Sequence, residues 1–298
     1  MKRFVKNIAK TILLALLVLT AVDFAYTWIF TSAAPKDKIA LLRSHKGEKI
    51  DYIFVGSSRV NNSIVPSIIE KRTGKTALNL GVSSARPHDV LTIVKLLKAY
   101  DIKCDSIFVQ VDYGFNHFDS SVMMEFQVMP FIWQHPEMRD HIDYLPNAFA
   151  LKYVPFFRYA AYDQKLGIHA LYRAFRSGRP SEIQKSDGYM ARKGQRMLPE
   201  YSLPSTIVGR NKYHDALEKF AENNNLHLVY FTSPFFKTVR TENFMRKLRT
   251  KVPALHDYSK SIKIDRLFSN QSHLNHEGAK YFTNLLIDDL LKKRATEP

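Results

Sequence analysis

The sequence predicts an α/β protein: a doubly wound, mostly parallel sheet with a largely helical insertion, behind an N-terminal transmembrane helix. Three observations lead there. Short apolar runs at 53–55, 77–81, 106–112 and 226–231 alternate with stretches of helical periodicity, the rhythm of a parallel sheet whose ligands gather at its strand ends. That rhythm breaks between about 119 and 205, where the chain turns aromatic and basic. At the N-terminus a basic flank runs into a long apolar segment.

Composition sets the outer bounds. With 298 residues, 45% of them hydrophobic, and only 11 glycines and 13 prolines, the chain can bury a large core and is not of low complexity. A formal net charge of +16, from 44 Lys+Arg against 28 Asp+Glu, points to anionic surroundings such as envelope glycans or lipid headgroups. Nucleic acid is not expected as a partner, because zinc-finger spacing, RNA-binding aromatics and a basic zipper are all missing. The single cysteine, Cys104, rules out an intrachain disulfide and a cysteine-rich metal site.

Lys2, Arg3, Lys6 and Lys10 flank the apolar segment. From Ile8 to Phe30 is roughly 23 residues, which as a helix rising about 1.5 Å per residue crosses a hydrocarbon core of about 30 Å. The basic flank places the N-terminus in the cytoplasm and everything after about Ser32 outside. A cleaved signal peptide with a small-residue site at Ser32-Ala33-Ala34 is the competing reading. Tyr26, Trp28 and Phe30 resemble an interfacial aromatic belt and favour the uncleaved anchor. Asp23 is costly inside a bilayer and belongs near the outer interface. The organisation expected is a flank and anchor over 1–34, a juxtamembrane linker over 35–49 and an α/β domain over 50–298, with the insertion at about 119–205. Ile39, Leu41 and Leu42 allow a helical turn within the linker that packs on the domain, though so short a run decides nothing.

Past the first strand, Pro66–Lys71 reads as a short helix, and Val90, Ile93, Val94 and Leu97 fall on one helical stripe. The insertion carries Phe131, Trp133, Phe156, Phe157, Tyr159 and Tyr172, which suit a small core of its own or a platform for sugars. Tyr213, Leu217, Phe220 and Ala221 form another stripe, a basic helix is expected around Glu242–Lys251, and Ala279, Phe282, Leu286 and Leu290 share one face of the last helix.

The chemistry-bearing residues sit at the ends of these strands. The first strand stops at Gly56-Ser57-Ser58-Arg59. A serine hydroxyl is a poor nucleophile until a base takes its proton, and the best candidate base is His273, in Ser272-His273-Leu274-Asn275 just before the last helix. His276 and Glu277 follow, but no second cluster with ligand spacing supports a metal site there.

Gly56-Ser57-Ser58-Arg59 after the first strand, Asn79-Leu80-Gly81 after the second, Gly114-Phe115-Asn116 after the third and Ser272–Asn275 before the final helix together resemble the SGNH/GDSL hydrolase superfamily. The likeness covers roughly residues 50–118 and 211–292. Within the superfamily it is similar to membrane-anchored proteins that handle acyl groups on bacterial envelope polysaccharides. The resemblance implies a flavodoxin-like three-layer fold. It also implies a serine esterase or O-acyltransferase working through an acyl-serine intermediate on an envelope glycan, without cofactor or metal. Membrane lipid and a membrane-embedded acyl donor protein are the further partners implied.

Residue by residue, the resemblance makes Ser58 the nucleophile and His273 the general base. Ser57 becomes a neighbour that caps the following turn. The backbone N–H groups of Ser58 and Gly81 and the side-chain amide of Asn116 become the oxyanion hole; a surface turn is the other reading of Asn116. The aspartate expected three residues before the histidine is Asn270 here, an amide that supplies no negative charge and can select the wrong ring tautomer; Asp265, or a carboxylate elsewhere, is the candidate substitute. Arg59 is read either as a contact for an anionic substrate or as the partner of an acid. Asn270 also supports a second function, a binding or scaffold protein of the same fold with impaired chemistry. A third possibility is an α/β domain whose serine and histidine never meet.

Overall fold

The computed structural model describes residues 1–178, 180–197 and 201–291. Arg179 and residues 198–200 of the expected insertion, and the tail 292–298 of the expected domain, lie outside the described residues.

Helix α1 (Lys2–Ser32) is long and apolar enough to cross a membrane, a test that a signal sequence also passes. Residues 1–19 are exposed on every side, whereas from Thr20 onward one face of the helix is partly covered. What covers it is the insertion. The Tyr26 ring lies 4.9 Å from that of Phe156 and 5.1 Å from that of Tyr159. Asp23 accepts hydrogen bonds from the Arg158 guanidinium at 2.5 Å and the Phe156 N–H at 2.9 Å. The C-terminal third of the expected span is therefore docked on protein, and a carboxylate is tolerated at position 23 because it is paired.

The helical turn allowed within the expected linker is α2 (Lys38–Ser44), capped by Asp37, whose carboxylate accepts the Ala40 N–H. Ile39, Leu41 and Leu42 are fully buried in the main core. Three large apolar side chains in so short a segment find burial only against the rest of the domain.

Strands β1 (Tyr52–Val55), β2 (Ala77–Asn79), β3 (Ser106–Gln110), β4 (Leu228–Thr232) and β5 (His256–Asp257) form one sheet in the order β2-β1-β3-β4-β5, with every pair parallel. The ladders of β2 and β3 stop short of Gly81 and Asp112, which lie in the loops at the strand ends. Side chains alternate across the sheet. Ile53, Val55, Ile107 and Val109 join one core with α2 and with Val90, Ile93, Val94 and Leu97 of α5 (Pro87–Ala99). Phe54, Phe108 and Phe231 point the other way, into a second core. There they meet Ile69 of α4 (Pro66–Thr73) and Phe282 and Leu286 of α15 (His276–Leu286). Both faces being covered explains why the strands read as continuous apolar runs.

Between β3 and β4 the described residues form seven short α-helices, α6 (Val122–Val128), α7 (Pro136–His141), α8 (Ala148–Tyr153), α9 (Phe157–Ala161), α10 (Asp163–Leu166), α11 (Ile168–Phe175) and α12 (Glu182–Lys185), and then α13 (Lys212–Asn223). Of the insertion's aromatics, Phe131 and Tyr159 are buried, while Trp133 and Tyr172 are exposed. Helix α14 (Glu242–Arg249) separates β4 from β5. An antiparallel pair, β6 (Phe268–Asn270) and β7 (His273–Leu274), precedes α15 and sets Asn270 opposite His273. A hairpin this short leaves no readable periodicity in the sequence.

Candidate active site

Ser58 opens the single-turn helix α3 (Ser58–Asn61) directly after β1. The turn between them needs Gly56. Its φ is +152°, and a Cβ there would lie 2.7 Å from both Gln110 Cβ and Val60 Cγ2. Ser57 is the N-cap, its Oγ accepting the Arg59 N–H at 3.2 Å and donating to Gln110 Oε1 at 2.9 Å. Ser58 is left facing away from this tether, toward the hairpin.

Across 215 positions of sequence, Ser58 Oγ and His273 Nε2 come within 2.8 Å. On the far side of the ring, His273 Nδ1 lies 3.0 Å from Asn270 Oδ1 and 3.0 Å from Ser272 Oγ. The same Asn270 oxygen accepts the backbone N–H groups of Ser272 and His273, each at 3.0 Å. Those groups can only donate, so the side chain must turn its oxygen, not its nitrogen, to this side. A carbonyl oxygen next to Nδ1 selects the tautomer with the proton on Nδ1, leaving Nε2 free to accept from Ser58. The wrong tautomer feared from the sequence is thus disfavoured, but the missing charge is not replaced. Asp265 is bound to Lys237 at 2.6 Å. Burial, with Arg59 and Arg192 nearby, lowers the His273 pKa to about 3.

Arg59 takes the acid-pairing alternative. It is 1% exposed, and its Nε lies 2.9 Å from Asp112 Oδ2. Its other nitrogens donate to the carbonyls of Ser272, at 2.6 Å, Ser233 and Pro234, and its guanidinium lies 3.6 Å from the centre of the Phe235 ring. One side chain thereby joins the loops after β1, β3 and β4 to the His273 hairpin. The sequence signal for this role was the placement of Asp112 at the end of β3, though nothing in the sequence paired it with Arg59.

Two of the three expected oxyanion donors are already engaged. Gly81 N–H donates to Asn79 Oδ1 at 3.0 Å, and Asn116 Nδ2 donates to the Thr206 carbonyl at 2.9 Å while its Oδ1 accepts the Val208 N–H. Asn116 therefore braces the loop at 206–208. Gly81 does pack against the serine helix: a Cβ there would clash with Asn61 N and lie 2.9 Å from the Ser57 carbonyl oxygen. Ser58 N–H belongs to the first turn of α3, where backbone donors have no acceptor within the helix. His276 Nδ1 is 3.0 Å from the Tyr189 hydroxyl. Among the described residues no group of three or more His, Cys, Asp and Glu is arranged to hold a metal ion.

A second serine, histidine and aspartate meet elsewhere, and sequence reasoning did not foresee them. Ser120 Oγ donates to Asp89 and lies 2.9 Å from His141 Nε2, while Thr92 Oγ1 lies 2.8 Å from His141 Nδ1. His141 and Asp89 have no exposed surface and Ser120 has 5%. With no route for a substrate, this network joins the insertion to α5 and is structural.

A scan of the chain against protein-family models returned no match, and neither did a search of curated proteins.

Proposed function

We propose that the chain is a serine esterase or O-acyltransferase of SGNH/GDSL type, acting through an acyl-serine intermediate on a cell-envelope polysaccharide. The observation that carries the reading is the 2.8 Å approach of Ser58 Oγ to His273 Nε2, with an acceptor fixed on the opposite ring nitrogen. In the proposed reaction Ser58 Oγ attacks the acyl carbonyl as its proton passes to Nε2, and the leaving alkoxide takes that proton back. Water or a sugar hydroxyl then attacks the ester carbonyl, giving its proton to Nε2, the bond from the carbonyl carbon to Ser58 Oγ breaks, and Nε2 returns the proton to Ser58 Oγ. The reading is supported by the strand order β2-β1-β3-β4-β5 of an open parallel sheet, in which ligands bind beyond the carboxyl ends of the strands, where Ser58, Gly81 and Asp112 all lie. We read α1 as the anchor of an extracytoplasmic domain. A membrane-embedded donor would supply the acyl group.

A second reading is favoured by His273 itself. A ring whose pKa is lowered to about 3, without a carboxylate partner, is a weak base, as a glycan-binding scaffold of impaired chemistry would have. Covalent labelling with a fluorophosphonate separates the two. Labelling at Ser58 that is lost in Ser58→Ala and His273→Ala supports the enzyme, and a folded domain that stays unlabelled supports the scaffold.

A further inference from the structure

One helical turn beyond Ser58, Asn61 lines a cavity of about 320 Å³, with Gly81 also on its wall. The cavity lies where the outer end of α1 meets the insertion, with Phe30 and Ala33 on its wall together with Phe126 and Phe131. Its size falls within the range of small-molecule sites, roughly 300–1,000 Å³.

Cations gather around it. Lys36, Lys165 and Arg173 line the cavity and are exposed, whereas Lys38 lines it at 4% exposure. Among the described ion pairs none involves any of the four. Lys38 Nζ donates to the carbonyls of Asn79, at 2.8 Å, and Gly188. A buried ammonium held by carbonyls alone is a costly arrangement that an anion would relieve. Burial lowers its pKa to about 7, consistent with an unneutralised site. Asp37 also lines the cavity. Its carboxylate caps α2, and burial raises its pKa to about 6.

A second, independent observation points to a ligand. Asn61 is 5% exposed and its side-chain oxygen has no hydrogen-bond partner. Buried acceptors of this kind are uncommon and are normally satisfied.

We propose that this cavity binds an anionic amphiphile drawn from the membrane surface. Its oxyanion head lies among Lys38, Lys165 and Arg173, a head-group hydroxyl donates to Asn61, and its chain runs along Phe30 and Phe126. The site stands whether or not Ser58 is a nucleophile. The oxyanion chemistry is shared by lipid headgroups and free phosphate, and the apolar wall beside α1 favours the lipid.

The test uses the full chain in phosphatidylcholine nanodiscs and a diazirine-bearing alkyl phosphate as a photoreactive probe. Adducts are expected within 123–131 and 165–174, the stretches that contribute the cavity wall. Dodecyl phosphate should compete them away, whereas inorganic phosphate and dodecyl maltoside should not. Lys165→Glu with Arg173→Glu, both on exposed side chains, should cut labelling at least about tenfold, and Lys38→Met should do the same. Equal competition by inorganic phosphate would show that the chain of the ligand is not recognised. Equal competition by the maltoside would show apolar partitioning alone. Either result overturns the proposal, as does full labelling of the doubly substituted rim.

Discussion

Asn270 Oδ1 stands 3.0 Å from His273 Nδ1 while accepting the backbone N–H groups of Ser272 and His273. An aspartate has the same shape and would keep all three contacts, adding the negative charge that stabilises a protonated ring. Asn270→Asp is therefore expected to raise fluorophosphonate labelling and ester turnover by at least about tenfold, a fraction of the ~10⁴ that separates aspartate from asparagine in serine-protease triads. Unchanged turnover in a folded variant would remove the weakened-triad account.

The pH dependence follows from the same ring. With its pKa near 3, lowered mainly by burial, His273 stays neutral through the range where an ordinary histidine, at 6.5, becomes charged. The acid limb of labelling should accordingly lie well below pH 6.5. Stability has a definite sign as well. Between about pH 3 and 6.5 the unfolded chain binds the His273 proton and the folded chain does not, so this residue makes stability rise with pH across that window. In paired denaturant titrations, wild type should gain on His273→Gln as pH rises from 3 to 6.5. A constant difference would contradict the shift.

Arg59 and Asp112 form a buried pair beneath the serine helix. Removing one partner leaves the other charge uncompensated, so Arg59→Met is expected to cost about 3–5 kcal/mol. Combining it with Asp112→Leu should recover part of that loss in urea denaturation, because the stranded carboxylate is gone. Ser58 labelling should not recover, since the tether from Arg59 to the Ser272 carbonyl is absent in both.

Gly81 sits against the backbone of Ser57 and Asn61. Gly81→Ala must push that helix aside, at about 1–3 kcal/mol for overpacking. Thermal unfolding would register the loss. Alanine at Gly209, whose Cβ would meet nothing within 4 Å and whose φ, like that of Gly81, is not left-handed, is the control for an added methyl group.

The docking of α1 rests on Asp23, which bonds Arg158 and the Phe156 N–H. Asp23→Ala should release the C-terminal end of the helix and increase limited proteolysis of the insertion between α8 and α9, at an expected cost of about 1.5–3 kcal/mol for a charged hydrogen bond. Arg158→Ala alone should do the same, and the double variant should add little.

The sequence by itself determined four of the five strands of the sheet and their exit points; β5, only two residues long, left no pattern to read. Continuous apolar strands, helical stripes between them and a break after Asp119 are local patterns, and they placed Ser58 and Gly81 at strand ends. A long apolar helix with a basic flank is equally local. Tertiary structure decided what those positions do. Arg59 became a buried tie because Asp112 and the carbonyls of Ser233, Pro234 and Ser272 converge on it from loops far apart in sequence. Asn116 was drawn into the 206–208 loop, and the expected linker became core through Ile39, Leu41 and Leu42. Asn270 presents its oxygen to His273 because two backbone donors of the hairpin demand it. Periodicity records which face of an element is apolar. Which polar groups meet depends on loop closure across the whole chain, and that is fixed only when the core has packed.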